Sequence, residues 1–411
     1  MNATPAAGAT QTLPAPEQAT LGLDRPLLTH ELGSLAKPNW RVRAYAGAKL
    51  GESDLEDARA WGQRLGVPGY EQLVDLLRRT PLRREDRDEL KRWSSRYGVR
   101  FLESVGLDVV YDGEQQRSEM YAWAIEHAKG FEWRGSVRAF DNKYYSKAAV
   151  TGPISLGVPY HNDEFALLRS FASAILKVPI TGAYTIADWS FDERYDRDTN
   201  LAGPAPARHA RRKAARREFI VDVARNLIRP NLQELIGLGA RWLQIDEPGG
   251  STGPDELDLF VESFNESVAG LEAVFSTHLC FSDYNLFFPA IEGMTGCRQF
   301  AVGFANYDRR DLGVSDDARP GYRVISKFRD LPYRPALGLG VLDIHTDFIE
   351  PPELVRDRIL YAVEVFGDPN RIHVTPDCGL RTRSWDVAYS KLANMVAGVR
   401  LAKQALGLPT N

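Results

Sequence analysis

At 411 residues, 44% of them hydrophobic, the chain can bury a large core, and its length admits one barrel-sized domain or two smaller ones. A formal net charge of −4 argues against a nucleic-acid binder that relies on bulk positive charge. No apolar run approaches the roughly 20 residues of a membrane span, and the N-terminus lacks the basic start and apolar stretch of a secretory signal, so a cytoplasmic protein acting on small molecules or another protein is expected, with no membrane partner. Three cysteines cannot make a disulfide framework, and each needs its own reading.

In chain order, Met1 to Leu23 is rich in Ala, Pro, Thr and Gln and cannot bury enough surface to offset the entropy of ordering. We expect a disordered tail over residues 1–24 and a single domain over 25–411. From Pro26 onward, short apolar runs ending in Gly, Asp or His alternate with stretches of helical periodicity. The candidate strands end at Leu32-Gly33-Ser34, Val109 to Glu114, Ile180-Thr181-Gly182, Leu243 to Glu247, Phe275 to Cys280, Phe300 to Phe304, Leu339 to His345 and Ile372 to Cys378. Eight parallel strands with reactive residues at their C-terminal ends predict a (β/α)8 TIM barrel, an α/β fold, with a doubly wound sheet as the alternative. Phe131 to Ser155 alternates aromatic and polar residues and predicts a strand pair inserted after strand 2 and laid across one end of the barrel. The basic run Arg208 to Arg217 reads as the solvated face of a helix, the alternative being a dock for an acidic partner.

His278 and Cys280 are two apart on a predicted strand, so their side chains point the same way. Cys378, in Thr-Pro-Asp-Cys-Gly, ends another predicted strand. One His and two Cys form the soft ligand set of Zn2+, which in catalytic sites keeps a further position open. A His-x-Cys pair by itself fits a core histidine beside a buried cysteine better than a ligand pair; the third cysteine at the same barrel face, with the other polar strand ends, favours the metal. Cys297, in Gly296-Cys297-Arg298, is read as structural. Glu114, Asp246, Glu247 and His345 lie at the ends of three different strands, and carboxylates there suit an ammonium group, because burying them unpaired costs several kcal/mol. Ser34 and the backbone of Leu32 and Gly33 could meet a carboxylate. An amino-acid thiol would satisfy all three features.

At these residues the sequence resembles the C-terminal catalytic barrel of the cobalamin-independent methionine synthases. The matching blocks are His30-Glu31-Leu32-Gly33-Ser34, Asp112-Gly113-Glu114, Gln244 to Pro248, Thr277 to Cys280, Asp343-Ile344-His345 and Pro376 to Arg383, and they span roughly Leu27 to Ala402. The resemblance implies a zinc-dependent methyltransferase forming methionine from homocysteine. It also implies that Leu32, Gly33, Ser34, Glu114 and Asp246 lie at the homocysteine, that Trp189 lies at a pterin, and that His345 is a catalytic proton donor. The departures are equally specific. The family's N-terminal, folate-binding barrel has no counterpart here, its Ser-Arg-Cys falls near Asn142-Lys143-Tyr144, and one of its glutamates falls near Thr252. Its fourth zinc ligand, a glutamate after the His-x-Cys strand, falls at Gly303 or Phe304, with Asp308 the nearest acid.

These departures point to a core-type enzyme that takes methyl from a methylated corrinoid carrier protein rather than from polyglutamyl methylfolate. Two alternatives stand beside it: a zinc-thiol alkyltransferase of the epoxide:coenzyme M type, and a metal-free binding subunit.

Overall fold

A computed structural model describes residues 24–79, 82–138, 144–196 and 205–410. The expected tail falls outside the described residues apart from Asp24, as do Asn142 and Lys143. The strands among the described residues are β1 (Leu28–Thr29), β2 (Val109–Val110), β3 (Ala128–Arg138), β4 (Tyr144–Leu156), β5 (Ile175–Thr181), β6 (Phe191–Asp192), β7 (Trp242–Asp246), β8 (Val274–Leu279), β9 (Gln299–Val302), β10 (Ala336–Gly340) and β11 (Ile372–Thr375).

Eight of them form one parallel sheet in the order β1-β11-β10-β9-β8-β7-β5-β2. A parallel bridge between His30 and Val109 joins its two ends. That closure makes a barrel and removes the doubly wound alternative. The seam pairs the two shortest strands, and a side chain reinforces it: Asp108 Oδ2 accepts from both the Thr29 backbone N–H and the Thr29 hydroxyl at 2.8 Å.

Several strands stop short of the expected ends, and three depart by four residues or more. Leu32 to Ser34 and Tyr111 to Glu114 are loop, because Gly33 (φ 138°), Gly113 (φ 71°) and Glu114 (φ 59°) leave the β region and turn the chain across the barrel mouth. The strand expected to end at His345 runs instead over Ala336–Gly340, so His345 stands on the following loop.

β3 and β4 pair antiparallel, and β6 adds to β4. This is the expected insertion after the second barrel strand. Arg381, in the loop after β11, reaches Tyr145 Oη on the hairpin at 3.5 Å, which places the strand pair over the C-terminal end of the barrel.

The basic run lies on the helix Ala205–Val223, and acids neutralise it: Lys213 meets Asp258 at 2.9 Å, Arg216 meets Asp188 at 2.9 Å and Glu256 at 3.1 Å, and Arg217 meets Glu262. These contacts tie the helix to its neighbour Leu257–Val268 and favour the solvated-face reading. No helix among the described residues is long and apolar enough to cross a membrane.

Inside the barrel, Leu28, Val109 and Trp242 form an apolar floor. Above it the lining turns polar, with His30, Lys177, Gln244, Gln299 and His373 all buried. Cys297 is buried among core residues, as expected for a structural thiol.

Candidate active site and metal centre

β8 delivers His278 as its fifth residue, and Cys280 follows one residue past the strand end, so the period of two keeps both side chains on the barrel's inner side. β11 stops at Thr375, and the Pro376-Asp377-Cys378-Gly379 turn carries Cys378 to the same place. His278 Nε2 lies 3.0 Å from Cys280 Sγ and 3.3 Å from Cys378 Sγ, and the two sulfurs are 2.7 Å apart. These three donors form a group that could hold a metal ion, and among the described residues no fourth His, Cys or carboxylate joins it.

The donors fit such an ion. His278 Nδ1 is 2.9 Å from the Ala301 carbonyl oxygen, which can only accept, so the ring proton sits on Nδ1 and Nε2 is left with its lone pair toward the sulfurs. The hydrogen bond from Cys280, with help from His278, holds the Cys378 thiol well below the ordinary thiol range. The same Cys280–Cys378 bond, with burial, pushes Cys280 up. One thiol therefore ionises readily, and the proton left on the other is what a cation would displace.

The turn beyond β9, where the fourth ligand was sought, presents no acid to the group. Phe304 is buried between Tyr284 and Tyr322, with ring centroids at 5.7 and 5.3 Å. Asp308, the nearest acid in sequence, is not a ligand. Its side chain is fully buried against Arg319 and Arg358, the latter at 3.0 Å. Asp377 is adjacent to Cys378, yet its carboxylate accepts the backbone N–H groups of Phe304 and Ala305 at 3.0 Å and of Asn306 at 2.8 Å.

Leu32, Gly33, Ser34, Glu114 and Asp246 surround the group on one flank. Gln244 Nε2 donates to the Leu32 carbonyl at 3.3 Å and to Asp246 Oδ1 at 2.7 Å, and Asp246 stands opposite His278 in the β7–β8 ladder. A side chain at position 33 would come 3.4 Å from Glu114 Oε1, and one at position 379 would come 2.8 Å from the Ser34 backbone nitrogen, so glycine at each allows the close approach. Burial raises the Asp246 carboxyl to about 7, with Glu114 adding to the effect.

Three expected residues stand apart from that flank. Glu247 is buried, and its carboxylate accepts from Thr185 N, Thr185 Oγ1 and Tyr184 N at 2.8, 2.6 and 3.2 Å, so it caps the helix Ala183–Asp188 and spends most of its accepting capacity there. Trp189 lies beside Tyr121, with ring centroids 6.2 Å apart, on the side of the hairpin. Next to it, Asp188 is held by Arg216 and by the Thr252 hydroxyl at 2.9 Å. His345 is at the opposite rim, half-exposed, with Nδ1 3.3 Å from Asp343 Oδ1 and its ring 5.0 Å from that of Phe281.

The sequence reading missed Glu31, Arg117, Lys177 and Gln244. Glu31 is buried beside the Leu32 turn with Oε1 unpartnered. Arg117 is buried, paired with Glu164 at 2.8 Å and 3.8 Å from Glu114. A lysine in the apolar run Ile175–Thr181 was the one available signal.

Residues 72–401 match the family described as the catalytic domain of cobalamin-independent synthases. The chain belongs to this family. As a member it is a methyltransferase. Methionine synthases from Thermoplasma volcanium and Thermococcus kodakarensis are 34% and 31% identical to it, over 90% and 93% of this chain and 96% of each relative. The fold is similar to that of a B12-independent methionine synthase from Shewanella sp. W3-18-1 solved with selenomethionine, with a TM-score of 0.69 at 20% identity, covering 93% of this chain and 99% of that one.

Proposed function

We propose that this chain forms methionine by transferring a methyl group to the sulfur of homocysteine at a zinc ion held by His278, Cys280 and Cys378, the donor being a methylated corrinoid protein. The observation that carries the reading is the meeting of one imidazole and two thiols within hydrogen-bonding range of one another, flanked by the Leu32–Ser34 turn, Glu114 and Asp246. The set is soft, which suits zinc, and three protein donors leave a position for a substrate sulfur. Bound there, zinc lowers the pKa of a thiol that shares its coordination, so the sulfur is nucleophilic near neutral pH, where a free thiol of pKa about 8.5 is mostly protonated.

The chain's own residues supply binding and orientation. Glu114 and Asp246 hold the substrate ammonium group, and the Leu32 carbonyl adds an acceptor. Ser34 and the neighbouring backbone take the carboxylate. Fixing both ends of the amino acid aims its sulfur at the open mouth, and methyl transfer, an in-line displacement, needs the sulfur within ~3 to 3.5 Å of the methyl carbon and collinear with the leaving group. With a corrinoid donor the bonding electrons stay on cobalt and no proton is required. With a methylfolate, N5 must be protonated as it leaves, and His345 is the acid.

Three features favour the corrinoid carrier. Phe281, next to Cys280, is 59% exposed and Tyr307, stacked on it, is 47% exposed, so the rim beside the metal donors offers open apolar surface to a bulky donor. On the folate side, Asp188 is engaged by Thr252 and Arg216. The methionine synthases of Thermoplasma volcanium and Thermococcus kodakarensis are matched over 96% of their own length, which leaves those relatives no room for a second barrel. The three free cysteines fit a reducing, cytoplasmic setting. The single domain over 25–411 is part of the same reading.

Incubating pure protein with homocysteine and either a methylated corrinoid protein or methyltetrahydrofolate, with zinc measured on the same sample, tests the proposal. Turnover with the corrinoid protein and little with the folate is expected; efficient turnover of the folate alone overturns the donor assignment. An epoxide:coenzyme M type of activity is disfavoured by Glu114 and Asp246, since a sulfonate thiol has no amine for them. A preparation that stayed zinc-free and inactive after zinc addition would instead support a binding subunit.

A further inference from the structure

Lys177 is a buried cation that the proposed chemistry does not use. It projects from β5 into the barrel with no exposure to solvent, where branched apolar side chains usually fill the space. Taking an ammonium group out of water costs several kcal/mol unless every proton is placed. Here polar partners surround it: Nζ donates to the Glu31 carbonyl oxygen and to Gln244 Oε1, and His30 Nδ1 lies 2.9 Å away. His30 Nδ1 also lies 2.9 Å from the Glu31 carbonyl oxygen, and the Gln299 amide nitrogen stands 2.9 Å from His30 Nε2. Gln299 in turn lies 2.6 Å from His373. The lysine thus anchors a polar layer that spans β1, β5, β7, β9 and β11.

The functional consequence follows from the Gln244 amide. A free glutamine amide has two orientations of nearly equal size and opposite polarity. Lys177 can only donate, so it fixes Oε1 toward itself and Nε2 toward the mouth. There Nε2 donates at once to the Leu32 carbonyl and to Asp246 Oδ1. Turned over, the amide would set its oxygen against a carbonyl and a carboxylate. We propose that Lys177 is the positioning residue for the amino-acid end of the site, orienting Gln244 so that Leu32 and Asp246 are held in register to receive the substrate ammonium group. This rests on the homocysteine reading above, in which Leu32 and Asp246 bind that group. Burial also pulls Lys177 down and pushes Glu31 up, which fits two groups confined together beneath the site.

The test is methionine binding by calorimetry on zinc-loaded wild type, Lys177→Met and Gln244→Leu, with zinc content and melting temperature on the same samples. Lys177→Met replaces the ammonium by an apolar group of similar length. It should keep its zinc and its fold, at a melting temperature lowered by a few degrees, while binding methionine about 10- to 100-fold more weakly, the span expected for losing one hydrogen bond to a charged group. In the assay KM for homocysteine should rise by a similar factor, and kcat at saturation should change less than about threefold. The double variant should be no worse than the weaker single one, because both break the same strut.

Lys177→Met binding methionine within about twofold of wild type overturns the inference, and so do losses that multiply in the double variant. If Lys177→Met does not fold, Gln244→Leu decides: tenfold weaker binding in a zinc-loaded, folded protein supports the strut, and unchanged binding overturns it. Wild-type protein that gives no heat with methionine or homocysteine overturns the homocysteine reading and takes this inference with it, which separates the two failures.

Discussion

His278 and Ala301 face each other across β8 and β9, and the imidazole Nδ1 lies 2.9 Å from the Ala301 carbonyl oxygen. A backbone carbonyl thus decides which ring nitrogen is available, and the strand register that pairs the two residues is part of the candidate metal site. His278→Ala, Cys280→Ser and Cys378→Ser should each lose bound zinc and lower turnover by at least about 100-fold, since even outer partners of a metal ligand are worth 10- to 100-fold. Metal analysis with a parallel rate measurement checks this. A Cys280→Ser protein with full zinc and wild-type turnover would remove Cys280 from the site.

Removing the ion should soften the protein without unfolding it. The donors sit at the barrel mouth, above an apolar floor and a polar layer that do not depend on them. At a free zinc concentration 100 times Kd the ion stabilises the fold by about 2.7 kcal/mol, and chelation should lower the urea midpoint accordingly while the circular dichroism of the native barrel persists. Loss of secondary structure on chelation alone would contradict this.

Asp308 should matter for folding and not for metal. Its carboxylate is shared by two buried arginines, Arg319 and Arg358, and removing one partner of such a group leaves uncompensated buried charge. Asp308→Ala should cost about 3–5 kcal/mol in denaturant unfolding. The folded fraction should carry zinc at the wild-type ratio. Loss of zinc with stability intact would restore Asp308 as a ligand.

His345 titrates above the ordinary histidine value, first because of its hydrogen bond to Asp343. The folded state therefore favours the protonated ring. The stabilisation from this pair is complete below about 6.5, the unfolded value, and is lost as pH rises through the raised folded pKa. Asp343→Asn should move the His345 midpoint downward in an NMR titration. In turnover with a methylfolate, activity should fall as pH rises through that midpoint. With a corrinoid donor that limb should be absent, and His345→Gln should retain activity within about threefold.

The basic helix gives a contrasting expectation. Arg217 and Lys213 are largely exposed and paired with Glu262 and Asp258. Exposed pairs contribute about 0–1 kcal/mol, so Arg217→Ala and Lys213→Ala should each change stability by less than about 1 kcal/mol and leave the methyl-transfer rate with the corrinoid protein unaltered. A several-fold rise in KM for that protein alone would identify the helix as its dock.

The barrel was legible because each βα unit repeats a local pattern, and the antiparallel pair was legible from the alternation between Phe131 and Ser155. The His278, Cys280 and Cys378 triad was legible for a related reason: two members share a strand face, and the third ends another strand whose C-terminus must lie at the same rim. Such inferences need only the period of a strand and the polarity of a parallel barrel.

What the sequence could not determine depends on which groups meet across strands. Asp308 and Glu247 looked like free acids in the chain. One is sequestered by arginines 11 and 50 residues away and the other caps a helix more than 60 residues earlier, pairings that only the packed structure sets. Lys177 passed unnoticed in the chain; its meaning comes from His30, Glu31 and Gln244, which only the closed barrel brings against it. The sequence by itself determined the fold and the grouping of His278, Cys280 and Cys378, because both follow from local periodicity. Tertiary structure alone decided the protonation, orientation and availability of the polar groups around them, because electrostatic and hydrogen-bonding partners in a closed barrel are set by neighbours in space.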